Sequence, residues 1–173
     1  VARLISQESQ VSVTTTLDTQ AALQRADVVV TVTSAVDTVI EPEYLKSGAI
    51  VCDVARPRDV SKRVAEVRDD VFVFEGGVVK VPGSVEFGFN FGFPAGTSYA
   101  CMAETMILAL EGRYQSFTLG REITVDQITE IASLAQKHGF SLAGLRSFDR
   151  AVTDDEIRAF QKKIKGIFNI YIL

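Results

Sequence analysis

Hydrophobic and polar positions along the chain change rhythm near its middle, and that change predicts the architecture. In the first half, β-branched runs alternate with stretches of helical spacing. "VSVTT" (11–15) reads as a short strand, "LDTQAALQRA" (17–26) as a helix capped by Asp18, and "DVVVTVTSA" (27–35) as a continuous strand ending in small hydroxylic residues. A short turn-rich helix in "EPEYLKSG", closed by Gly48, leads to "AIVCDVA" (49–55), and then to "VFVFEGGVV" (71–79), a third strand broken by paired glycines. Continuous apolar strands of this kind suit a parallel sheet covered on both faces. The expected fold is therefore α/β, a doubly wound parallel sheet of Rossmann type, with ligands beyond the C-terminal ends of the strands. Thr33, Ser34, Asp53, Gly76 and Gly77 fall there.

Past the Phe- and Gly-rich "FGFNFGFPAG" (87–96) the pattern becomes helical, with no convincing strand before the final "FNIYIL". "TSYACMAETMILALEG" (97–112) begins with hydroxyls that can serve as N-cap, Thr97 or Ser98, and ends on Gly112. Thr124 with Gln127, and Thr153 with Glu156, are capping-box patterns opening two amphipathic helices, the first stopping at Gly139. The expected division is residues 1–92 as the C-terminal half of a nucleotide-binding domain and 93–173 as a helical extension on the same domain.

Composition narrows the function. The 173 residues are 47% hydrophobic with net charge −4, so neither nucleic acid nor an anionic membrane is favoured as a partner. One histidine and two cysteines without Cys-x-x-Cys spacing argue against a zinc site or a disulfide framework and fit reduced thiols in the cytoplasm. No metal ligand set is expected. No signal peptide or membrane-length apolar run is visible.

A complete dinucleotide fold opens with a Gly-x-Gly-x-x-Gly turn that holds the pyrophosphate on a helix N-terminus, and these residues contain none. "VARLIS" reads as the end of a helix, with the phosphate loop expected upstream and the chain as the second half of the site. Alone, it is expected to bind NADPH poorly.

Several stretches, in order, carry a resemblance: "LQRADVVVTVTSA", "VCDVARPRDVSKRV", "VFVFEGGVV", "YACMAETMILALEG", "FTLGREIT" and "QKHGF". Over roughly residues 17–142 the chain resembles the cyanobacterial-type long-chain fatty acyl-acyl-carrier-protein reductases. These sit within the broader shikimate/quinate and amino-acid dehydrogenase-like Rossmann group. The resemblance implies NADPH-dependent reduction of a fatty acyl thioester, on acyl carrier protein or CoA, to a fatty aldehyde through a cysteine-linked acyl-enzyme. It places Cys101, in Ala100-Cys101-Met102-Ala103-Glu104, as the nucleophile. Thr33, Ser34, Asp53, Gly76 and Gly77 match positions beside the cofactor, though Thr33 stands where an alanine is expected and "VAR" replaces a glycine-rich middle after Asp53.

The residues themselves leave the chemistry open. A cysteine in the first turn of a helix is favoured as thiolate by free N–H groups and the dipole, yet free cysteine is also a common small core residue. Glu104, three positions on, is either a proton relay or a surface carboxylate, and Cys52 reads as core. Met102, Met106, Ile107 and Leu110 read as packing, and His138 as a charge at a helix C-terminus. Lys162, Lys163 and Lys165 would suit an acidic carrier or a solvated face. Two other functions remain: a dehydrogenase of the same group acting on a small hydroxy or amino acid, or a non-catalytic interaction module, homo-oligomeric through an exposed sheet edge.

Overall fold

The computed structural model describes residues 2–9, 11–89, 92–120, 123–148 and 150–164. Lys165 and the final "FNIYIL" lie outside the described residues. Two compact units divide the chain: 1–73 with 159–173, and 74–158.

The first unit is the α/β part. Helix α1 (Ala2–Ser9) is followed by an unpaired stretch where "VSVTT" forms no strand, its Val11 exposed. Five residues with no adjacent strand have nothing to pair with, and alternation alone does not make a ladder. Helix α2 (Thr19–Leu23) starts where expected, Asp18 accepting from Ala21 N at 3.0 Å. Strand β1 (Val28–Thr31) pairs in parallel with β2 (Ile50–Asp53), in register Val28↔Ile50 to Thr31↔Asp53, and β3 (Phe72–Glu75) lies next in order. A 3-10 turn, Pro42–Tyr44, and a short helix α3 (Arg63–Val67) connect them.

Ala49, Val51, Val60 and Val64 are buried at the centre of this unit, and Phe160 packs its ring 5.3 Å from that of Phe72. The expectation of a sheet covered on both faces needs correction at β1: Val29 and Thr31 are buried, but Val28 and Val30 are 61% and 64% exposed. Continuous apolar sequence here reflects strand propensity on both faces, while the described residues bury only one.

The second unit is mixed. Strand β4 (Val78–Lys80) pairs antiparallel with β5 (Thr97–Tyr99) on one side and β6 (Ser141–Leu142) on the other. Strands β7 (Arg146–Ser147) and β8 (Arg150–Ala151) form a hairpin, Arg146 pairing with Glu75. The second half therefore does hold strands, each only two or three residues long, too short to leave a period in the sequence. Helices α4 (Ala100–Leu110) and α5 (Val125–Lys137) cover the β4 side, with Val81, Ala103, Ile107 and Phe140 as the buried cluster. Of the four positions read as packing, Ile107 is buried and Met106 packs against that cluster, but Leu110 is exposed. The capping box at Thr124 forms on both sides, Gln127 N donating to Thr124 Oγ1 and Thr124 N to Gln127 Oε1. Helix α6 (Asp154–Ile164) opens on the same device with Thr153 and Glu156.

Candidate functional site

The sequence-marked residues fall into two clusters, one in each unit. In the first, the loops leaving β1 and β2 are joined by two buried carboxylates. Asp53, at the end of β2, accepts from Ala55 N and Val60 N, both at 3.0 Å, which folds the 54–60 loop back over the strand end. Burial pushes the Asp53 carboxyl above its ordinary value, against those two N–H groups, and Asp59 adds repulsion.

Asp59 is fully buried and ties this loop to the end of β1. Its carboxylate accepts from the Thr31 hydroxyl, from Thr33 N at 3.0 Å and from Thr33 Oγ1 at 2.5 Å. Its backbone oxygen accepts from Val39 N and Ile40 N at 2.8 and 3.0 Å. Burial alone would raise this carboxyl, but the Thr31 and Thr33 donors outweigh it and hold it below the ordinary range. Thr33 and Ser34 stay exposed on the loop so fixed. Sequence reasoning singled out Asp53 and missed Asp59; the available signal was a second acid six residues on, across "VARPR", facing a hydroxyl-rich strand end.

In the second unit, Gly76 and Gly77 separate β3 from β4. Gly77 has φ +78°, a left-handed conformation that favours glycine, and its carbonyl accepts from Ala100 N at 2.8 Å. The glycine turn and the start of α4 are thus locked together, with Cys101 the next residue.

The N-cap of α4 is Tyr99, not Thr97 or Ser98, and no side chain caps it. Thr97 and Ser98 are instead buried in β5, where pairing with β4 takes their backbone and Thr97 Oγ1 donates to Pro94 O at 2.6 Å. Cys101 still lies in the first turn and is exposed. At this helix N-terminus Ala100 N is taken by Gly77 O, and the N–H groups that follow lie, with the positive dipole end, in the turn that holds Cys101. Cys52 differs in kind: it is half-buried rather than fully core, and burial with neighbouring Asp53 pushes its thiol up.

Glu104 follows Cys101 by three residues on α4, and its two oxygens accept the Thr118 hydroxyl, each at 2.6 Å. At the far end, Gly112 takes φ +66° as α4 closes, and Glu111 holds both Lys137 and His138 at 2.6 and 2.5 Å. His138 is the C-cap of α5, as its spacing suggested.

Comparison with known proteins bears on both clusters. Residues 1–75 match the model for shikimate / quinate 5-dehydrogenase. The chain is 38% identical over 143 residues to the aminotransferase PigE of a Serratia species, covering 81% of this chain and 16% of that protein. It is 31% identical over 130 residues to the long-chain acyl-[acyl-carrier-protein] reductase of Synechococcus elongatus, covering 72% of this chain and 38% of the reductase. The chain thus spans well under half the length of either relative. The resemblance read from the sequence holds, as does the Rossmann-like α/β fold, here as a mixed sheet with helices. Among the described residues no helix is long and apolar enough to cross a membrane.

Proposed function

We propose, from a chain similar to a long-chain acyl-[acyl-carrier-protein] reductase and dehydrogenase-like in its first 75 residues, that this protein takes part in reducing a fatty acyl thioester to an aldehyde through Cys101. The observation that carries this reading is the exposed Cys101 in the first turn of α4, at a helix N-terminus no side chain caps. Thiolate is the reactive form, and an exposed position leaves it free to attack a thioester.

In the first step the Cys101 thiolate attacks the acyl carbon of a thioester carried on acyl carrier protein or CoA. A bond forms to Sγ, the bond to the carrier sulfur breaks, and the carrier leaves as a thiolate that takes a proton from water. The N–H groups of Cys101 and Met102, past the Ala100 N–H that Gly77 O holds, are the donors for the oxyanion formed in transfer. Glu104, held by Thr118 on the next turn, is the group assigned to moving a proton near that sulfur.

The exposed Ser34, beside Thr33 whose hydroxyl is held by Asp59, sits on a loop fixed at the ends of parallel strands, a place that fits the nicotinamide side of a dinucleotide. Asp53 would shape that site by folding the loop, and within the second unit Gly76 and Gly77 would leave a thioester room beside the backbone next to α4. Nothing among these residues forms the glycine-rich pyrophosphate turn. When bound, a reduced nicotinamide, NADPH in this reading, supplies the hydride that converts the acyl carbon to aldehyde level. Cys101 then leaves as the free thiolate, ready for another acyl group.

The match over residues 1–75 also suits a dehydrogenase of small hydroxy or amino acids, in which Cys101 is a bystander. Intact-mass spectrometry after incubation with palmitoyl-CoA separates the two. A hydroxylamine-labile acyl adduct, absent from Cys101→Ser and retained in Cys52→Ser, is the expected result. Absence of any adduct on the unaltered chain rules the acyl-enzyme out.

A further inference from the structure

The second unit contains a cavity of about 450 Å³ between α4 and the segment 113–119. Its walls combine apolar surface from Leu108, Ala109 and Phe117 with hydrogen-bonding groups from Thr105, Ser116 and Thr118. Arg113 also lines it, with its guanidinium 5.1 Å from the Phe117 ring centre and paired with Glu130 at 2.5 Å.

The cavity lies along the helix face that carries Cys101. Cys101, Thr105 and Ala109 are spaced i, i+4, i+8 and are all exposed, so they form one stripe on α4. From Cys101 to Ala109 the stripe rises about 12 Å at ~1.5 Å per residue. Thr105 and Ala109 belong to the cavity wall, as does Glu104, and Cys101 lies outside the wall, one helical turn before Thr105 on the same stripe.

We infer that this cavity is the binding site for the phosphopantetheine arm of the thioester donor, the part shared by CoA and acyl carrier protein. The inference rests on the acyl-transfer reading of Cys101. The arm ends in the sulfur that must meet Sγ, and its two amides and branched pantoyl end are a mixture of polar and apolar groups, as the wall is. Its length corresponds to roughly four to five residues of extended chain, about 15 Å at ~3.3–3.6 Å each, enough to run from Cys101 along the stripe and past Ala109. A fatty acyl chain has no use for the Ser116 hydroxyl or the Arg113 guanidinium on this wall, which would lose water without gaining a partner from it, whereas Thr105 and Thr118 already donate to Cys101 O and Glu104. Arg113, twelve positions from Cys101, is the cation lining the cavity and suits the phosphate end of the arm.

Thiol–disulfide exchange tests this without any acyl chemistry, in a Cys52→Ser background with one thiol left. The Cys101 thiolate attacks pantethine, forming a mixed disulfide with one pantetheine and releasing the other as thiolate. Bis(2-hydroxyethyl) disulfide, whose leaving thiol is of similar acidity, is the armless reference. The unaltered chain should react with pantethine with saturation and with the reference linearly. Ala109→Trp and Ser116→Trp, both at exposed positions, should each lower the ratio of the two rates at least fivefold. CoA disulfide against pantethine reads the phosphate contribution, which Arg113→Gln should reduce, and holo-acyl carrier protein disulfide reports the protein-borne source. No preference for pantethine in the unaltered chain, or a preference untouched by both tryptophans, overturns the inference. If exchange shows the preference while palmitoyl-CoA leaves no adduct on Cys101, the cavity assignment stands and the acyl-enzyme reading fails.

Discussion

Replacing Asp59 by asparagine should destabilise the first unit and also change how its stability depends on pH. The side chain is fully buried, and its charge is held by the Thr31 hydroxyl, Thr33 N and Thr33 Oγ1. Hydrogen bonds to a charged acceptor contribute about 1.5–3 kcal/mol each, against about 0.5–1.5 for neutral pairs. Asparagine keeps the shape and one acceptor oxygen, so the change is charge-assisted to neutral for three bonds, about 1 kcal/mol each. Relief from burying a charge offsets part of this sum. The native carboxyl sits below its ordinary value, which means the bonds outweigh burial, so the net sign is a loss of about 1–3 kcal/mol at neutral pH.

The pH dependence follows from the same direction of shift. A carboxyl depressed in the folded state contributes stability above its unfolded value, about 3.9, and that contribution disappears as pH falls through the folded value. The difference between wild type and Asp59→Asn should therefore be full at pH 7 and shrink below pH 4. Asp53 has the opposite sign, because its raised carboxyl favours folding at low pH and withdraws that contribution as pH rises. Removing the Asp59 charge also removes one cause of that rise, so Asp53 should titrate lower in the variant. Urea denaturation followed by far-ultraviolet circular dichroism at pH 7 and pH 3.5 measures the first effect. Hydrogen exchange of the 31–40 segment, whose Thr33 amide bonds to the Asp59 carboxylate, localises it. Equal midpoints for the two proteins at pH 7, or a difference that persists undiminished at pH 3.5, would refute the reasoning.

At pH 7.5, iodoacetamide should alkylate Cys101 well before Cys52, read by peptide mass spectrometry, because Cys101 is exposed while burial and Asp53 push the Cys52 thiol up. Thr124→Ala should cost about 1 kcal/mol in thermal denaturation through loss of the capping box of α5, with reactivity of Cys101 unchanged. Asp70 is held down to about 2, chiefly by its hydrogen bond from Arg68; in Arg68→Ala an NMR titration should find it back toward the ordinary carboxylate range.

The sequence by itself determined the elements whose causes are local. Asp18, Thr124 and Thr153 each cap a helix through side chains three residues from their partners, and the β-branched runs at 28–31 and 50–53 form parallel strands in register. It also placed Cys101 in the first turn of a helix, because the apolar run after it is helical over its length. Only tertiary structure decided what long-range pairing controls. "VSVTT" has the composition of a strand and no neighbour to pair with, while "TSY" looks like a helix cap and is drawn into β5 by β4. Asp59 lies 26 residues from Thr33 and is joined to it only when β1 and β2 come side by side. The Thr118 hydroxyl reaches Glu104 across 14 residues to help shape the cavity. A pattern in the sequence records which face of a segment is apolar; which segment lies against that face is fixed by the free energy of the whole packed chain.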